Sequence, residues 1–378
     1  MKDRKSLVIE AFFLVWILCS TVPMFSAHQV AFPSQTRSLQ MIPLNEPCVL
    51  PGWTDGKYHD YDVTREMLVG FNDKYGHLVS VFSLGKSVQM RDIWCIRITN
   101  ENNTSHKFSC LYDGCIHGNE WEGAEACLYF AEFLLINFER NVTVRNLLNT
   151  SEVYIVPFVN PDARQKDNRF NQNGVDLNRN FDVHFGRFLG GSYPFGTLFG
   201  LIQIRYLYFP KVLLVTNSGP HPFSEPESCA MRDLQKQLRY RDFSFYLTLH
   251  TATHDFRCMS DKIIRSEYVL SARELAIFNY SKYWVQNHTE YEAYEDKGGF
   301  GFGSSTSYCF KECHVASFCL ETYNDDPWFR HGRHTHLVHW MNTTLPIFLY
   351  LLVNIENFHN WDTPDIEPVL PAGVPPPP

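Results

Sequence analysis

The sequence predicts an α/β fold: a single domain built on a mixed, largely parallel twisted sheet with helices on both faces, an α/β/α sandwich. Three observations predict it. From Tyr58 onward, short apolar runs of strand length alternate with longer segments whose apolar residues recur at helical spacing. A chain of 378 residues with 44% hydrophobic composition can bury a full core. The metal-competent residues stand at the ends of apolar runs, where an open α/β sheet binds its ligands.

The elements follow in order. Met1 to Lys5 carries charge, residues 7–25 are mostly apolar although Glu10 interrupts them, and Ser26 and Ala27 follow. This pattern fits a secretory signal peptide over residues 1–27, or an uncleaved anchor giving membrane contact through the N-terminus. Either route places the protein outside the cytosol, secreted or anchored. Residues 28–57 are irregular and contain proline. A polar-faced helix is expected over 63–75, a strand over 93–98, and a second strand from Phe108 to Leu111 that ends in Asp113 and Gly114.

Ala124, Cys127, Leu128, Ala131, Leu134 and Leu135 then mark a long helix, and residues 153–159 another strand. Residues 198–216 are almost continuously apolar with Arg205 and Lys211 inside, which leaves an added hairpin, a membrane-touching loop or a stretch foreign to the mature message all open. In residues 243–250, Phe245, Leu247 and Leu249 alternate with Ser244, Tyr246 and Thr248, and His250 comes last. Residues 318–322 form an apolar strand ending in Glu321. Residues 337–358 are strongly apolar but broken by Asn342, Pro346, Asn354 and Glu356, so a terminal core helix is expected rather than a membrane span. The tail, 359–378, is proline-rich and expected to be disordered.

A net charge of −8 supplies no concentrated basic face, which excludes nucleic acid as a partner. Removing Cys19 with the signal leaves an even ten cysteines of the eleven, which permits disulfides; buried free thiols are the alternative, with Cys115 and Cys319 in or beside apolar strands. Asn-x-Ser/Thr acceptors at Asn102, Asn103, Asn141, Asn149, Asn279, Asn287 and Asn342 mark a secreted product as a glycoprotein.

His117 and Glu120 lie three apart between a strand and a helix, and imidazole with carboxylate suits zinc. His250 ends another strand and completes three protein ligands, leaving a fourth position for water as in a catalytic site. Arg169, Asn178 and Arg179 would suit a carboxylate anion, because guanidinium grips both oxygens. Glu321, at the end of an apolar strand, is poorly solvated and suited to moving protons. The histidines at 331, 334, 336 and 339 lack a carboxylate or cysteine partner and read as a partly solvated segment.

Together these segments closely resemble the zinc metallocarboxypeptidases of the carboxypeptidase A/B type, over residues 58–358. The resemblance implies one Zn2+ per chain, held by His117 and Glu120 of HGNE and by His250 of TLHT. It places Asn178 and Arg179 of GVDLNRNF on the substrate's terminal carboxylate, Arg169 on the scissile carbonyl, and Glu321 in the role of general base and acid. Residues 222–227 (PFSEPE) match a helix-opening signature of the family. The implied activity is release of the C-terminal residue from peptides or proteins by a monomer.

Departures accompany the match. The family's mobile tyrosine falls on Gly299, with Tyr291 and Tyr294 nearby, and the position that tunes specificity falls on Thr306, which leans toward neutral or apolar C-terminal residues. Neither the long propeptide of digestive members nor the C-terminal β-sandwich of others fits in the remaining residues. Two alternatives stand beside the peptidase: a zinc deacylase of N-acyl amino acids with a similar fold, and a secreted binding protein that has lost activity.

Overall fold

The structure is a computed structural model that describes residues 53–185, 208–209, 212–213, 217–251, 253–258, 270, 272–295, 303–322 and 336–359. The described residues fall in one compact unit, Ser38–Pro377. The N-terminal apolar segment, most of residues 28–57 and 198–216, Gly299 and the proline-rich tail lie outside the described residues.

Helix α1 (Tyr61–Lys74) opens where the Asp60 carboxylate accepts the Val63 N–H, and its buried residues Tyr61, Thr64, Leu68 and Phe71 form one stripe facing the core. Strands β1 (Val79–Lys86), β2 (Asp92–Ile98) and β3 (Phe108–Asp113) follow. Helix α2 (Trp121–Asn137) is apolar on nearly every side and correspondingly buried. Asn141 caps α3 (Val142–Thr150) by accepting two backbone N–H groups. Strand β4 (Ser151–Val156) stops short of the predicted residue 159, because Pro157 has no N–H to extend a ladder. The short helix α4 (Pro161–Arg164) and a 3-10 turn (Leu177–Arg179) close this half.

Of the apolar stretch 198–216, the described residues form a small antiparallel pair, β5 (Tyr208–Phe209) with β6 (Val212–Leu213), the hairpin among the readings left open. Helix α5 (Pro226–Leu238) begins with proline at its first position, where the missing N–H costs nothing. Then come β7 (Phe243–Thr251), β8 (Asp255–Cys258), α6 (Ala272–His288), β9 (Glu292–Glu295), α7 (Ser305–Cys313), β10 (Ala316–Thr322), α8 (Leu337–Val353) and α9 (Ile355–His359). The predicted terminal helix is therefore two helices that meet at Asn354.

Eight strands form one sheet in the order β1-β2-β4-β3-β7-β10-β8-β9. The centre is parallel: β4 with β3, β3 with β7 and β7 with β10. Antiparallel pairing enters at β1 with β2, β2 with β4 and β10 with β8. One face is covered by α1, α2, α6, α8 and α9, whose apolar residues make the larger core; α5 and α7 cover the other. All nine residues of β7 are buried, as a central strand covered on both faces must be. The alternation read in this strand therefore sorts two interiors rather than core from solvent.

The cysteine expectation is corrected. Among the described residues no disulfide joins the nine cysteines: Cys95, Cys110, Cys115, Cys127, Cys258, Cys309 and Cys313 are buried, while Cys229 and Cys319 are partly exposed. Burial in apolar surroundings pushes most of these thiols up, which keeps them protonated and inert.

Candidate metal and catalytic site

The parallel centre of the sheet brings three carboxyl-terminal strand ends level. Asp113 of β3 pairs with Thr248 of β7, and His250 of β7 pairs with Glu321 of β10. Between β3 and α2 the chain makes a tight loop, with Cys115 in the left-handed region (φ 53°) and the Glu120 N–H donating back to the His117 carbonyl at 3.1 Å. That turn puts the two side chains on the same side. Gly118 lets the loop lie against α4: a Cβ there would stand 2.2 Å from the Ala163 carbonyl carbon, so no larger residue fits.

His117, Glu120 and His250 converge, each at most 4% exposed. Glu120 places Oε1 2.8 Å from His117 Nδ1 and Oε2 2.8 Å from His250 Nδ1, and the two Nδ1 atoms are 3.2 Å apart. A tetrahedral zinc with bonds near 2.0–2.1 Å separates its ligands by about 3.3 Å, so these spacings fit one such ion among the three donors. Two ring nitrogens and a carboxylate are also the donor types zinc takes.

Asp176 fixes the histidine's role. Its Oδ1 lies 3.0 Å from His117 Nε2, which takes the ring proton there and leaves the Nδ1 lone pair facing inward. Asp176 Oδ2 accepts from Arg169 Nε at 3.1 Å and Nη2 at 3.0 Å, and Arg169 Nη1 reaches Glu120 Oε1 at 3.2 Å. Burial works to raise both acids. The Arg169 guanidinium and His117 outweigh it for Asp176, and His117 and His250 outweigh it for Glu120, so both carboxyls sit well below the usual range and stay ionised.

Asn178 and Arg179 follow on the 3-10 turn. The Asn178 amide nitrogen is 3.2 Å from His250 Nε2, and its Oδ1 accepts the Ser305 N–H at 3.0 Å. Arg179 is 5% exposed and donates from Nη1 to the Asn178 carbonyl at 2.6 Å. Asn180 ties this turn to the PFSEPE segment, donating to Ser218 O, His221 O and Ser224 Oγ while accepting from Ser228 Oγ. Beneath the site, buried Asp113 accepts from Thr248 and Tyr246, and burial pushes its carboxyl up to about 6 against those bonds.

Glu321 stands beside His250 with its side chain 13% exposed. Burial raises its carboxyl above the ordinary glutamate value, while Arg257 and His250 pull the other way without reversing it. Arg257 Nη1 is 3.0 Å from Glu321 Oε1.

The structure thus brings together His117, Glu120, His250, Asn178, Arg179, Arg169 and Glu321. Neither nearby tyrosine is free to move over the site. Tyr291 is 2% exposed with its hydroxyl 2.7 Å from Thr344 Oγ1, and the Tyr294 hydroxyl donates to Asp255 Oδ2 at 2.8 Å. Thr306 sits in the first turn of α7. His339 pairs with Glu290 at 3.4 Å on the surface.

Sequence reasoning assigned no role to Asp176, Asp113, Asp255 or Arg257. Asp176 lies inside a segment already singled out, and a buried acid beside two arginines was the available signal. Arg257, two residues after Asp255 in DFRC, is another, since a buried arginine requires an acid partner.

A zinc carboxypeptidase family profile matches residues 64–256, slightly more than half of the chain. Carboxypeptidase D of Mus musculus is 35% identical over 136 residues, 33% of this chain and 10% of that protein. Carboxypeptidase O of Bos taurus is 24% identical over 217 residues, 54% of this chain and 52% of that protein. The chain thus spans from a tenth to a half of the length of these relatives. Among solved structures, carboxypeptidase A from Helicoverpa armigera superposes with a TM-score of 0.61 at 20% identity, covering 82% of this chain and 75% of that one. Thrombin-activatable fibrinolysis inhibitor does so with 0.64 at 16%, covering 80% and 75%. These superpositions establish the shared fold.

Proposed function

The chain belongs to the zinc carboxypeptidase family, and from that premise we propose that it is a zinc-dependent exopeptidase that hydrolyses the C-terminal peptide bond of peptides or proteins. The observation that carries this reading is the convergence of two imidazole Nδ1 atoms and one carboxylate, all within 4.8 Å, beside a second carboxylate on the next strand.

His117, Glu120 and His250 would hold the metal, and Asp176 would keep His117 in the tautomer that binds it. Zinc there would supply Lewis acidity toward the scissile carbonyl and lower the pKa of water. Glu321 takes the proton of the attacking water and returns it to the leaving amine, a role supported by its burial beside His250 and its raised carboxyl. Arg169 presents its guanidinium to the developing oxyanion, a contribution of about 3 kcal/mol for one such donor. Arg179 and Asn178 grip the free carboxylate of the substrate, which restricts cutting to the last bond. With Tyr291 and Tyr294 both engaged elsewhere, these two contacts carry more of the substrate's orientation.

Digestion of a peptide library read by mass spectrometry is expected to show loss of single C-terminal residues, abolished by a chelator and restored by zinc. Glu321→Gln should lose at least about 100-fold in kcat while retaining stoichiometric zinc. Because the base must be ionised, kcat/KM should rise with pH through a midpoint above that of an ordinary glutamate. A fully active Glu321→Gln would remove the assigned proton carrier. Release of acetate from acetylated amino acids without peptide cleavage would transfer the site to a deacylase.

A further inference from the structure

The guanidinium beside the proposed base is held from every side. Arg257 Nε lies 2.6 Å from Asp255 Oδ1 and 2.9 Å from the Tyr294 hydroxyl, while Nη2 lies 3.1 Å from Asp255 Oδ2 and 2.7 Å from Thr253 Oγ1. Its remaining nitrogen, Nη1, lies 3.0 Å from Glu321 Oε1 as an ion pair. The strand register produces this arrangement. Asp255 pairs directly with Glu321 across β8 and β10, and Arg257 pairs with Cys319, so Asp255, Arg257 and Glu321 share one face. Two carboxylates placed directly opposite repel each other. A planar fork between them satisfies both, and Tyr294, opposite Arg257 on β9, closes the far side.

We infer that Arg257, anchored by Asp255, Tyr294 and Thr253, is a positioning residue that sets the orientation of the Glu321 carboxylate for proton transfer. The inference rests on the reading of Glu321 as general base. Glu321 has three side-chain torsions of its own, and without a directional partner its carboxylate would sample several rotamers at the open edge of the site. Asp255 balances the charge of Arg257, so the fork contributes direction without leaving a net positive charge beside the base. Nothing in this set contacts the donor atoms of His117, Glu120 or His250 among the described contacts, so losing Arg257 should leave the metal ligands in place.

The test uses the zinc-loaded full chain. Arg257→Gln is expected to lower kcat about 10- to 100-fold, the scale of losing one close charge pair. KM should stay within about threefold and zinc should remain stoichiometric. Arg257→Lys keeps the charge but cannot engage both carboxylates through a planar fork, so its kcat should fall between the two. Millimolar guanidinium should restore part of the rate of Arg257→Ala. If Arg257→Gln fails to fold, the lysine variant decides, because unchanged kcat in a folded, zinc-loaded Arg257→Lys overturns the inference. A loss confined to KM overturns it as well. Glu321→Gln measured in parallel separates the two claims: an inactive Glu321→Gln beside an unaffected Arg257→Gln rejects positioning and keeps the base, whereas an active Glu321→Gln rejects both.

Discussion

Asp176 does more for the candidate site than any other residue without a proposed role in the chemistry itself. It is fully buried, bonds the outer nitrogen of His117 and holds Arg169 through two nitrogens. Removing its charge would leave Arg169 without its main counterion and would free the His117 ring to place its proton on Nδ1, the nitrogen turned toward Glu120. Asp176→Asn is therefore expected to weaken zinc binding by about 10- to 100-fold, measured by competition with a chromogenic chelator, a readout independent of turnover. Unchanged affinity would mean that the ring is oriented by packing alone. Asn342 shows a glycan-acceptor motif set within a helix: it lies inside α8, and its Oδ1 accepts the Tyr129 hydroxyl at 2.7 Å.

At the scale of elements, the site depends on how loops are clamped to the sheet. The loop before α7 meets the 3-10 turn at Gly303, which has φ +67° and would bring a Cβ to 2.3 Å from the Arg179 carbonyl oxygen. Its own carbonyl accepts the Phe181 N–H at 3.0 Å, so the two segments cannot separate cheaply. Gly303→Ala combines a left-handed backbone with a backbone clash and should cost on the order of 2 kcal/mol or more. Denaturant unfolding should register that loss, and KM should rise because Arg179 is displaced; a variant matching the parent in both would show that this contact is not needed. The central strands were legible because apolar residues dominate them, in short runs or, in β7, at alternate positions. The edge strands β1 and β9, and β8 next to β9, were not, because β8 and β9 have four residues each and all three mix polar with apolar positions.

For the whole molecule, the buried ligand set couples metal to folding. His117, Glu120 and His250 come from two distant stretches of chain, which the unfolded state does not hold together. Zinc at about 100 times its dissociation constant should therefore add about 2.7 kcal/mol of stability, read as a rise in melting temperature on adding zinc and a fall on adding chelator. A melting temperature indifferent to both would contradict the ligand set. Among the described residues no helix is long and apolar enough to cross a membrane. Helix α8 spends its apolar character inside the fold, with Leu337, Met341, Leu345, Ile347 and Leu351 all buried.

The sequence alone determined the α/β class, the His117–Glu120 pair, its completion by His250 and the carboxylate of Glu321. Such features are local: a metal motif needs a spacing of three on one turn, and a strand announces itself by a run of apolar residues with its functional side chain at the end. Only the tertiary structure decided what each of these groups leans on. That Asp176 would orient His117, that Arg257 would reach Glu321 while Asp255 balanced it, and that no disulfide would join the nine described cysteines all depend on strand order, register and loop packing. Those relations join residues tens of positions apart, and local periodicity carries no information about which neighbour a strand will choose.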